Sequence, residues 1–360
     1  MEAELNAWFP FRGLGVGFST VIITSIREET NGVKTFTLAC DDGSAIPYKA
    51  GQFITLVFAH HGREERRSFS ISSSPELNEP LSFTVKRIDN GAYSRLLIDR
   101  AGTGDTLYTA GAAGLFILPE NTDNYEQVFF FAAGIGITPV FSLIKTLLQT
   151  QPGKQVILIY SNRAKEEVVF YNELNALAEA FPDNFKIEFL YSTSFDLARA
   201  RLSKGLLSIL LEEYRKCAKD RILFYICGPF TYMRMVILGL EEQGINEEQI
   251  RKENFNTNGR TVIKSEPPDK SPHRATIRMD GKEYSFPVQY PDTILQAAKK
   301  RGIALPYSCE TGRCGSCAAI CTVGKVWLSY NEVLMDSDLR KGRILTCVGH
   351  PVDGDVSIEF

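Results

Sequence analysis

The sequence has no excess of basic residues. It contains 40 Lys and Arg against 43 Asp and Glu, which gives a formal net charge of −3. A protein that binds nucleic acid through its phosphates needs a basic face. We therefore expect no nucleic-acid partner.

The sequence also lacks a long uninterrupted apolar run. The most apolar stretch, Val128 to Ile144, contains Gly134, Gly136 and Pro139 and is shorter than the roughly 20 residues that a membrane-spanning helix needs. We interpret it as a buried strand, a loop and the start of a helix. No membrane span is expected.

The first residues lack the basic start and the apolar stretch of a secretory signal peptide and carry Glu2 and Glu4 instead. The expected location is therefore cytoplasmic. There, clustered thiols are more often metal ligands than disulfide partners. The chain has eight cysteines, of which five lie near the C-terminus: Cys309, Cys314, Cys317, Cys321 and Cys347.

The pattern of residues changes along the chain, which is too long for one ordinary core. After an N-terminal extension (1–18), residues 19–121 show short alternating runs separated by turns, typical of a small β barrel or sandwich. Residues 122–256 alternate strand and helix, which predicts a parallel sheet with covering helices. Residues 257–273 are a polar linker rich in breakers. Residues 274–360 combine strand-like runs, one helix and a cysteine-rich loop.

The cysteine spacing is the most specific signal. Cys309, Cys314 and Cys317 follow the pattern Cys-x4-Cys-x2-Cys, and Cys347 stands alone downstream. Four thiolates at this spacing are typical of a plant-type [2Fe–2S] cluster. Small residues in the loop let backbone N–H groups approach the cluster sulfurs: Gly312, Gly315 and Ser316.

Two other kinds of metal site are alternatives. A structural zinc site of four cysteines usually builds two short knuckles, whereas here three cysteines crowd one loop. A Rieske cluster needs two histidines, and only His350 is nearby. Cys321, the fifth thiol of the region, is expected to be a buried strand residue. The [2Fe–2S] interpretation is favoured.

Two turns after apolar strands indicate a dinucleotide site. The first contains Gly134, Gly136, Thr138 and Pro139, and the second contains Cys227, Gly228 and Pro229. Glycines at a strand-to-helix turn let a dinucleotide approach the backbone, and the helix N-terminus favours its phosphates. Two such strand ends would frame a nicotinamide.

A third signal lies at the end of a β run in the first segment. Arg67 can pair with a phosphate, and Phe69, beside Ser70, can lie against a planar ring. Further along, Gly91 and Ser94 precede a short helix and form a second candidate phosphate cradle. Ahead of a dinucleotide segment, these residues favour a flavin site.

The segments and motifs together resemble the ferredoxin–NADP reductase superfamily with a C-terminal plant-type ferredoxin domain. The likeness is strongest to reductase components of the phenylacetyl-CoA epoxidase and ketosteroid hydroxylase types, and it covers nearly everything after residue 18. The resemblance implies three domains. They are an antiparallel β-barrel flavin domain, an α/β parallel-sheet nucleotide domain and a β-grasp [2Fe–2S] domain.

The resemblance also implies a role for each motif. Arg67 is expected at a flavin phosphate, Ser70 near the reactive ring edge, and Gly91 and Ser94 at the pyrophosphate turn. Phe69 stands where the family usually has Tyr, so stacking is kept and a phenol hydrogen bond is lost. FAD is implied rather than FMN.

The remaining motifs map in the same way. The two glycine-containing turns are implied as the nicotinamide nucleotide loops, and Glu253 and Phe255 resemble the end of the reductase module. The segment Ser192-Thr-Ser194 lacks the Arg that often binds a 2′-phosphate, so both NADH and NADPH remain open. Four cysteines take the cluster positions: Cys309, Cys314, Cys317 and Cys347.

These features imply an electron relay. NAD(P)H gives up two electrons together, an iron–sulfur cluster takes one at a time, and a flavin can do both. The expected acceptor is a partner protein, an oxygenase or hydroxylase component. No catalytic acid or base is nominated. Two alternatives remain: a stand-alone NAD(P)H oxidase or flavin reductase, and an iron–sulfur redox sensor.

Overall fold

The computed structural model describes residues 18–60, 63–255 and 265–360. The expected N-terminal extension lies outside these ranges except for Phe18. The described chain divides into two compact units, Phe18–Phe255 and residues 265–360. Within these ranges, no helix has the length and apolar character needed to cross a bilayer.

The first half of the larger unit is a six-stranded antiparallel sheet. The strands pair in the order β4-β3-β6-β1-β2-β5, and a bridge between Ile71 and Phe83 joins the two ends of the sheet. The sheet therefore closes as a barrel. Its strands are β1 (Ser19–Thr30), β2 (Val33–Cys40), β3 (Phe53–His60), β4 (Arg63–Ser70), β5 (Ser82–Lys86) and β6 (Thr106–Ala113).

Alternating apolar residues of these strands fill the barrel, because successive side chains of a strand point to opposite faces. Phe36, Phe58 and Phe83 are fully buried there. Helix α1 (Ala92–Arg100) covers one end and adds Leu97 to the same core.

The second half of the larger unit is a five-stranded parallel sheet in the order β11-β10-β7-β8-β9. Helices cover both faces, so β7 is apolar after Gln127: Phe130 packs on one side, and Phe129 and Phe131 on the other. The strands are β7 (Gln127–Ala133), β8 (Gln155–Asn162), β9 (Phe185–Tyr191), β10 (Ile222–Cys227) and β11 (Ile250–Glu253). The helices are α2 (Ile137–Thr150), α3 (Tyr171–Ala180), α4 (Lys204–Tyr214) and α5 (Phe230–Glu242).

The strand order places a crevice between β7 and β10. The chain runs outward from β7 to β9 and then returns to β10 on the other side of β7. Ligands of open α/β sheets bind at such a reversal, beyond the carboxyl ends of the strands. The two glycine-containing turns both follow strands at this point.

The second unit is a five-stranded mixed sheet in the order β13-β12-β16-β14-β15. Strands β12 and β16 are parallel, and the other neighbours are antiparallel. The strands are β12 (His273–Met279), β13 (Lys282–Val288), β14 (Ala318–Leu328), β15 (Arg343–Leu345) and β16 (Gly349–Glu359), with helices α6 (Ile294–Lys299) and α7 (Asp336–Arg340). The cysteine loop lies between α6 and β14, and Cys347 lies between β15 and β16.

Most local elements agree with the sequence pattern, but some differ, among them α7, a second helix where one was predicted for residues 274–360. The pattern did not indicate β6, whose sequence contains alanine and glycine, or β11, which is four residues long. Both are strands because neighbouring strands pair with them. Strand β12 begins at His273, one residue inside the stretch interpreted as a linker, and residues 257–264 of that stretch lie outside the described ranges. The domain boundaries remain predictions.

Candidate functional site

The two glycine-containing turns touch each other at the crevice. A Cβ atom at Gly136 would lie 2.3 Å from the carbonyl oxygen of Cys227 and 2.9 Å from the amide nitrogen of Gly228. A Cβ at Gly228 would lie 3.0 Å from the Cβ of Ala133. Glycine is required at Gly136 because the backbone of the second turn occupies the side-chain position. The structure thus brings together two motifs separated by about 90 residues of sequence.

Each turn leads into a helix whose N-terminus faces the crevice. Thr138 and Pro139 lie in the first turn of α2, and Pro229 is the residue immediately before α5. The Thr138 hydroxyl donates to the carbonyl of Ile135 at 2.9 Å, so this side chain closes the turn. The unpaired N–H groups and dipoles of two helix N-termini favour an anionic ligand here.

Two tyrosines, the buried Tyr160 and the half-buried Tyr232, hold the first turn in place. The Tyr160 hydroxyl donates to the carbonyl of Gly134 at 3.0 Å, and the Tyr232 hydroxyl donates to the carbonyl of Ala132 at 3.3 Å. Burial raises the pKa of both phenols well above the ordinary range, so they act as neutral donors. The sequence analysis did not identify them, because a tyrosine in an apolar strand or helix looks like an ordinary core residue.

A donor without a partner faces the carboxyl end of β8. The Asn162 side chain lies near the Tyr160 hydroxyl, but its Nδ2 is buried and donates no hydrogen bond within the described residues. Buried polar groups are normally satisfied. Together with the close approach at Gly136, this donor makes the crevice compatible with a polar nucleotide ligand.

The candidate flavin residues lie on β4. Arg67 pairs with Glu65 at 2.7 Å, and its guanidinium lies 4.5 Å from the ring centroid of Tyr93. The half-buried Phe69 ring lies 5.6 Å from that of Phe83. Arg67 and Phe69 lie two residues apart and point to the same side of the strand. Their roles at a flavin remain predictions.

The second candidate cradle is a tight turn before α1. The Ser94 hydroxyl accepts from the N–H of Ile88 at 3.1 Å and donates to the carbonyl of Gly91 at 3.1 Å. A Cβ at Gly91 would lie 2.5 Å from the Ser94 oxygen. The Ser94 hydroxyl thus shapes the turn, and the backbone N–H groups at the start of α1 face a potential ligand.

The barrel motif reaches the nucleotide crevice through Ser70. Its hydroxyl donates to Glu253 Oε2 at 3.4 Å, and Glu253 pairs with Cys227 across β10 and β11. Burial raises the pKa of Glu253 to about 8, an effect that the Ser70 hydrogen bond partly offsets. Burial also raises the pKa of Cys227, and nearby Glu253 adds to this shift.

Ser70, Cys227 and Glu253 form the junction between the two candidate cofactor sites. The sequence analysis placed Ser70 and Cys227 at the site but gave Glu253 no role there. No sequence signal was available, because Glu253 is 183 residues from Ser70. The raised pKa shifts Glu253 towards its protonated form relative to an exposed glutamate, beside the strand ends.

The four predicted cluster cysteines come together in the second unit. The thiol of Cys309 contacts those of Cys314 and Cys347, and the thiol of Cys317 contacts that of Cys347. The N–H of Thr311 points to the Cys309 sulfur at 3.4 Å. These contacts lower the pKa of Cys309 and raise that of Cys347.

The sulfurs form a chain of pairwise contacts, from Cys314 through Cys309 and Cys347 to Cys317. Two pairs of thiolates around two irons is the ligand arrangement of a [2Fe–2S] centre. The clustering of the four thiols is compatible with that arrangement.

The cluster loop is closely packed around its glycines and an ion pair. Gly312 has φ of 76°, and a Cβ there would lie 2.9 Å from the Tyr330 carbonyl oxygen. Arg313, nearly buried, pairs with Glu332 at 3.0 Å. Cys309 and Cys314 are half-buried, whereas Cys317 and Cys347 are buried. One pair of ligands therefore lies closer to the surface than the other.

Three sequence families match consecutive parts of the chain. They are "Oxidoreductase FAD-binding domain" over residues 20–117, "Oxidoreductase NAD-binding domain" over 130–237 and "2Fe-2S iron-sulfur cluster binding domain" over 277–352. The cofactors expected from the sequence are confirmed at this level, and the third match includes all four candidate cluster cysteines.

Characterised relatives match over nearly their whole length. A 3-ketosteroid-9-alpha-monooxygenase ferredoxin reductase component of Rhodococcus rhodochrous is 32% identical over 356 residues, which are 96% of this chain and 98% of the relative. A component of the 1,2-phenylacetyl-CoA epoxidase of Escherichia coli K12 is 30% identical over 352 residues, covering 95% of this chain and 98% of the relative.

Solved structures share the fold. Phthalate dioxygenase reductase, described as a modular structure for electron transfer from pyridine nucleotides to [2Fe–2S], is 22% identical with a TM-score of 0.59, over 96% of this chain and 98% of that chain. An intact type IV self-sufficient cytochrome P450 monooxygenase is 20% identical with a TM-score of 0.70, over 96% of this chain and 42% of that chain. The expected three-domain fold is confirmed.

Proposed function

Because this chain belongs to the ferredoxin–NADP reductase superfamily with a C-terminal plant-type [2Fe–2S] domain, the group of oxygenase reductase components, we propose that it transfers electrons from NAD(P)H to an oxygenase of the epoxidase or hydroxylase type. The observation that carries the proposal is the junction of Ser70, Cys227 and Glu253. This junction supports the proposal because Ser70 of the candidate flavin motif and Cys227 of the candidate nucleotide crevice both lie beside Glu253 within one compact unit.

We propose that the crevice residues bind the nicotinamide nucleotide. Gly136 lets the two turns meet, a Cβ at Gly134 would meet nothing within 4 Å, and the N-termini of α2 and α5 favour the phosphates of a ligand. The proposed set is Gly134, Gly136, Thr138, Pro139, Cys227, Gly228 and Pro229.

We propose that β4 and the turn before α1 bind FAD. Arg67 supplies a cation for a phosphate, Phe69 a ring face, and Gly91 with Ser94 a tight turn at the N-terminus of α1. Ser70 lies at the side facing Glu253. When bound, the flavin would supply the step between two-electron and one-electron chemistry, and Glu253, whose pKa is raised, lies next to Ser70.

We propose Cys309, Cys314, Cys317 and Cys347 as the cluster ligands. The pairwise sulfur contacts and the N–H of Thr311 suit an iron–sulfur centre with backbone hydrogen bonds to sulfur. The more exposed ligands, Cys309 and Cys314, face the side on which an acceptor protein would dock.

The partner is proposed to be a protein whose docking face is not strongly basic. Residues 274–360 contain 11 Lys and Arg against 10 Asp and Glu. This unit therefore lacks the strongly acidic face that would steer a basic partner. We also propose a cytoplasmic location, because the proposed cluster ligands must stay reduced and reducing compartments keep thiols in that state.

A cluster-ligand variant tests the relay against a stand-alone flavin reductase. Cys347→Ser removes one buried ligand, and Cys321→Ser, in the same unit, removes a half-buried thiol that only donates to backbone carbonyls. With NADH or NADPH as donor, we expect Cys347→Ser to lose cytochrome c reduction about tenfold or more while keeping ferricyanide reduction. Cys321→Ser should keep both activities.

The outcome distinguishes the alternatives directly. If Cys347→Ser reduces cytochrome c as fast as the unmodified protein, the cluster is not on the electron path and the stand-alone flavin reductase is supported. If neither NADH nor NADPH reduces the flavin of the unmodified protein, the reductase function itself is wrong and the sensor alternative gains support.

A further inference from the structure

A polar contact set joins the loop after the flavin motif to helix α2. We call it the helix–loop cluster, and it consists of Ser73, Ser74, Glu76 and Glu79 from the loop and Ser142, Lys145 and Thr146 from the helix. The Ser142 hydroxyl donates to the carbonyl of Ser73 at 2.5 Å. The hydroxyls of Ser74 and Thr146 are 2.7 Å apart. The cluster therefore fixes the helix to the loop at several positions along the helix.

The strongest member pair is Lys145 and Glu79. The ammonium of Lys145 donates to Glu79 Oε2, and the same oxygen accepts from the N–H of Ser74 at 2.7 Å. The Lys145 side chain is 11% exposed, and its nitrogen lies 4.5 Å from the ring centroid of Phe141. Burial lowers the pKa of Lys145, and Glu79 opposes this shift. Removing either partner leaves a charge without its neighbour in a mostly buried site.

The loop is itself fixed to the barrel. The hydroxyl of Ser73 accepts from the N–H of Ser82 at 2.9 Å and contacts the Tyr48 hydroxyl at 2.8 Å. The N–H of Ser72 donates to the carbonyl of Ser82 at 2.8 Å. The loop therefore moves with the barrel strand that carries Ser70.

The helix connects the cluster to the nucleotide crevice. Helix α2 begins at Ile137, directly after the turn that contains Gly134 and Gly136. Ser142 and Lys145 lie within about three turns of that start, and a helix rises about 1.5 Å per residue. Displacement of the helix relative to the loop would therefore displace the first nucleotide turn relative to the flavin motif.

Apolar packing alone would not fix this register. The same helix also packs against barrel residues through side chains such as Leu143, close to Gly51, and Val140. Apolar contacts are non-directional, whereas the cluster's hydrogen bonds are satisfied in one arrangement only. Buried ion pairs in some proteins specify one arrangement of the packed elements.

We propose that the helix–loop cluster, centred on Glu79 and Lys145, positions the nicotinamide nucleotide loop against the flavin for hydride transfer. This inference rests on the proposed function. Glu79 and Lys145 are positioning residues that act through α2 and the loop, since their contacts are with Ser74, Phe141 and each other.

The test compares Lys145→Met with Lys204→Met. The control breaks another Lys–Glu pair of the same unit, Lys204 with Glu242, which is exposed. Single-turnover reduction of the flavin at saturating NADH or NADPH gives the rate constant, and titration with oxidised nucleotide gives the dissociation constant. Hydrogen exchange of the protein without nucleotide, measured over 137–150, reports how stably α2 is held against the loop.

We expect Lys145→Met to lower the reduction rate constant about tenfold or more, since small misplacements of reacting groups are costly, with the dissociation constant within about threefold. Exchange over 137–150 should rise. Glu79→Gln should resemble Lys145→Met, and the double variant should be no worse than either single one. Lys204→Met should match the unmodified protein in all three measurements.

The proposal is overturned if Lys145→Met unfolds more easily but reduces its flavin as fast as Lys204→Met, because the pair is then only structural. Unchanged exchange over 137–150 overturns it as well. If Lys145→Met does not fold, Ser142→Ala, which removes one hydroxyl donor, replaces it. This variant should also lower the reduction rate constant, by a smaller factor, and leave the nucleotide dissociation constant nearly unchanged. If the unmodified protein is not reduced by either nucleotide, the proposed function fails, and exchange alone decides whether the cluster seats the helix.

Discussion

Substituting Gly136 with alanine pushes the two nucleotide turns apart. The new Cβ would lie 2.3 Å from the Cys227 carbonyl oxygen, 2.6 Å from its carbon and 2.9 Å from the Gly228 nitrogen. All three are backbone atoms and cannot rotate away. The backbone of Gly136 is helical, with φ of −61°, so alanine adds no dihedral strain, and the effect comes from the contact alone.

The size of the effect follows from these distances. Ordinary contact of a Cβ begins near 3.4 Å, so the turns must separate by about 1 Å. Overpacking of this kind costs about 2 kcal/mol of stability. A displacement near 1 Å at a reacting centre lowers the rate about 100-fold. We therefore expect both a lower melting temperature and much slower reduction by NAD(P)H.

The assay separates nucleotide handling from cofactor content. Flavin and cluster are quantified by absorbance, reduction by NADH and NADPH is followed in single turnovers, and dithionite reduction shows that the cofactors remain functional. Gly153→Ala is the matched control, because a Cβ there meets nothing within 4 Å. The control should behave as the unmodified protein in each measurement.

One result would refute the reasoning about the crevice. If Gly136→Ala keeps the reduction rate and the nucleotide dissociation constant of Gly153→Ala, the contact between the two turns does not shape the nucleotide site. A loss of flavin in Gly136→Ala would also count against it, since the flavin residues lie on the barrel.

Two further predictions concern ionisable side chains. The pKa of Glu253 is raised to about 8 from 4.5. Between these values the folded chain binds more protons than the unfolded one, so stability falls as pH rises through that window. Glu253→Gln should remove about 2 kcal/mol of this fall, allowing for the partial exposure of the residue, and urea unfolding at pH 5 and pH 9 checks it. Arg313→Met removes the cation beside Glu332, which keeps its hydrogen bond from the Tyr330 hydroxyl, and should destabilise the second unit by about 3 kcal/mol. Arg278→Met, which breaks exposed pairs, should change its stability by less than about 1 kcal/mol. Equal midpoints for these two variants in chemical unfolding would contradict the role of the buried pair.

Local patterns predicted much of the fold. Apolar strands followed by turns and amphipathic helices indicated the parallel sheet, since covering helices leave β7 apolar on both faces. Alternating runs indicated a barrel or a sandwich, and only the bridge between Ile71 and Phe83 distinguishes the two. Strand β11 was missed because its four residues carry too little pattern, and pairing with β10 forms it.

Sequence by itself determined the chemistry of this protein: which thiols are spaced for a diiron cluster, and which turns are small enough for a dinucleotide. These are short-range properties, because ligand spacing and turn geometry depend on adjacent residues. Tertiary structure alone decided which distant groups meet. Glu253 reaches Ser70, and Lys145 reaches Glu79, because sheet order and helix packing bring them within hydrogen-bonding distance, and no local pattern records contacts made across so much of the chain.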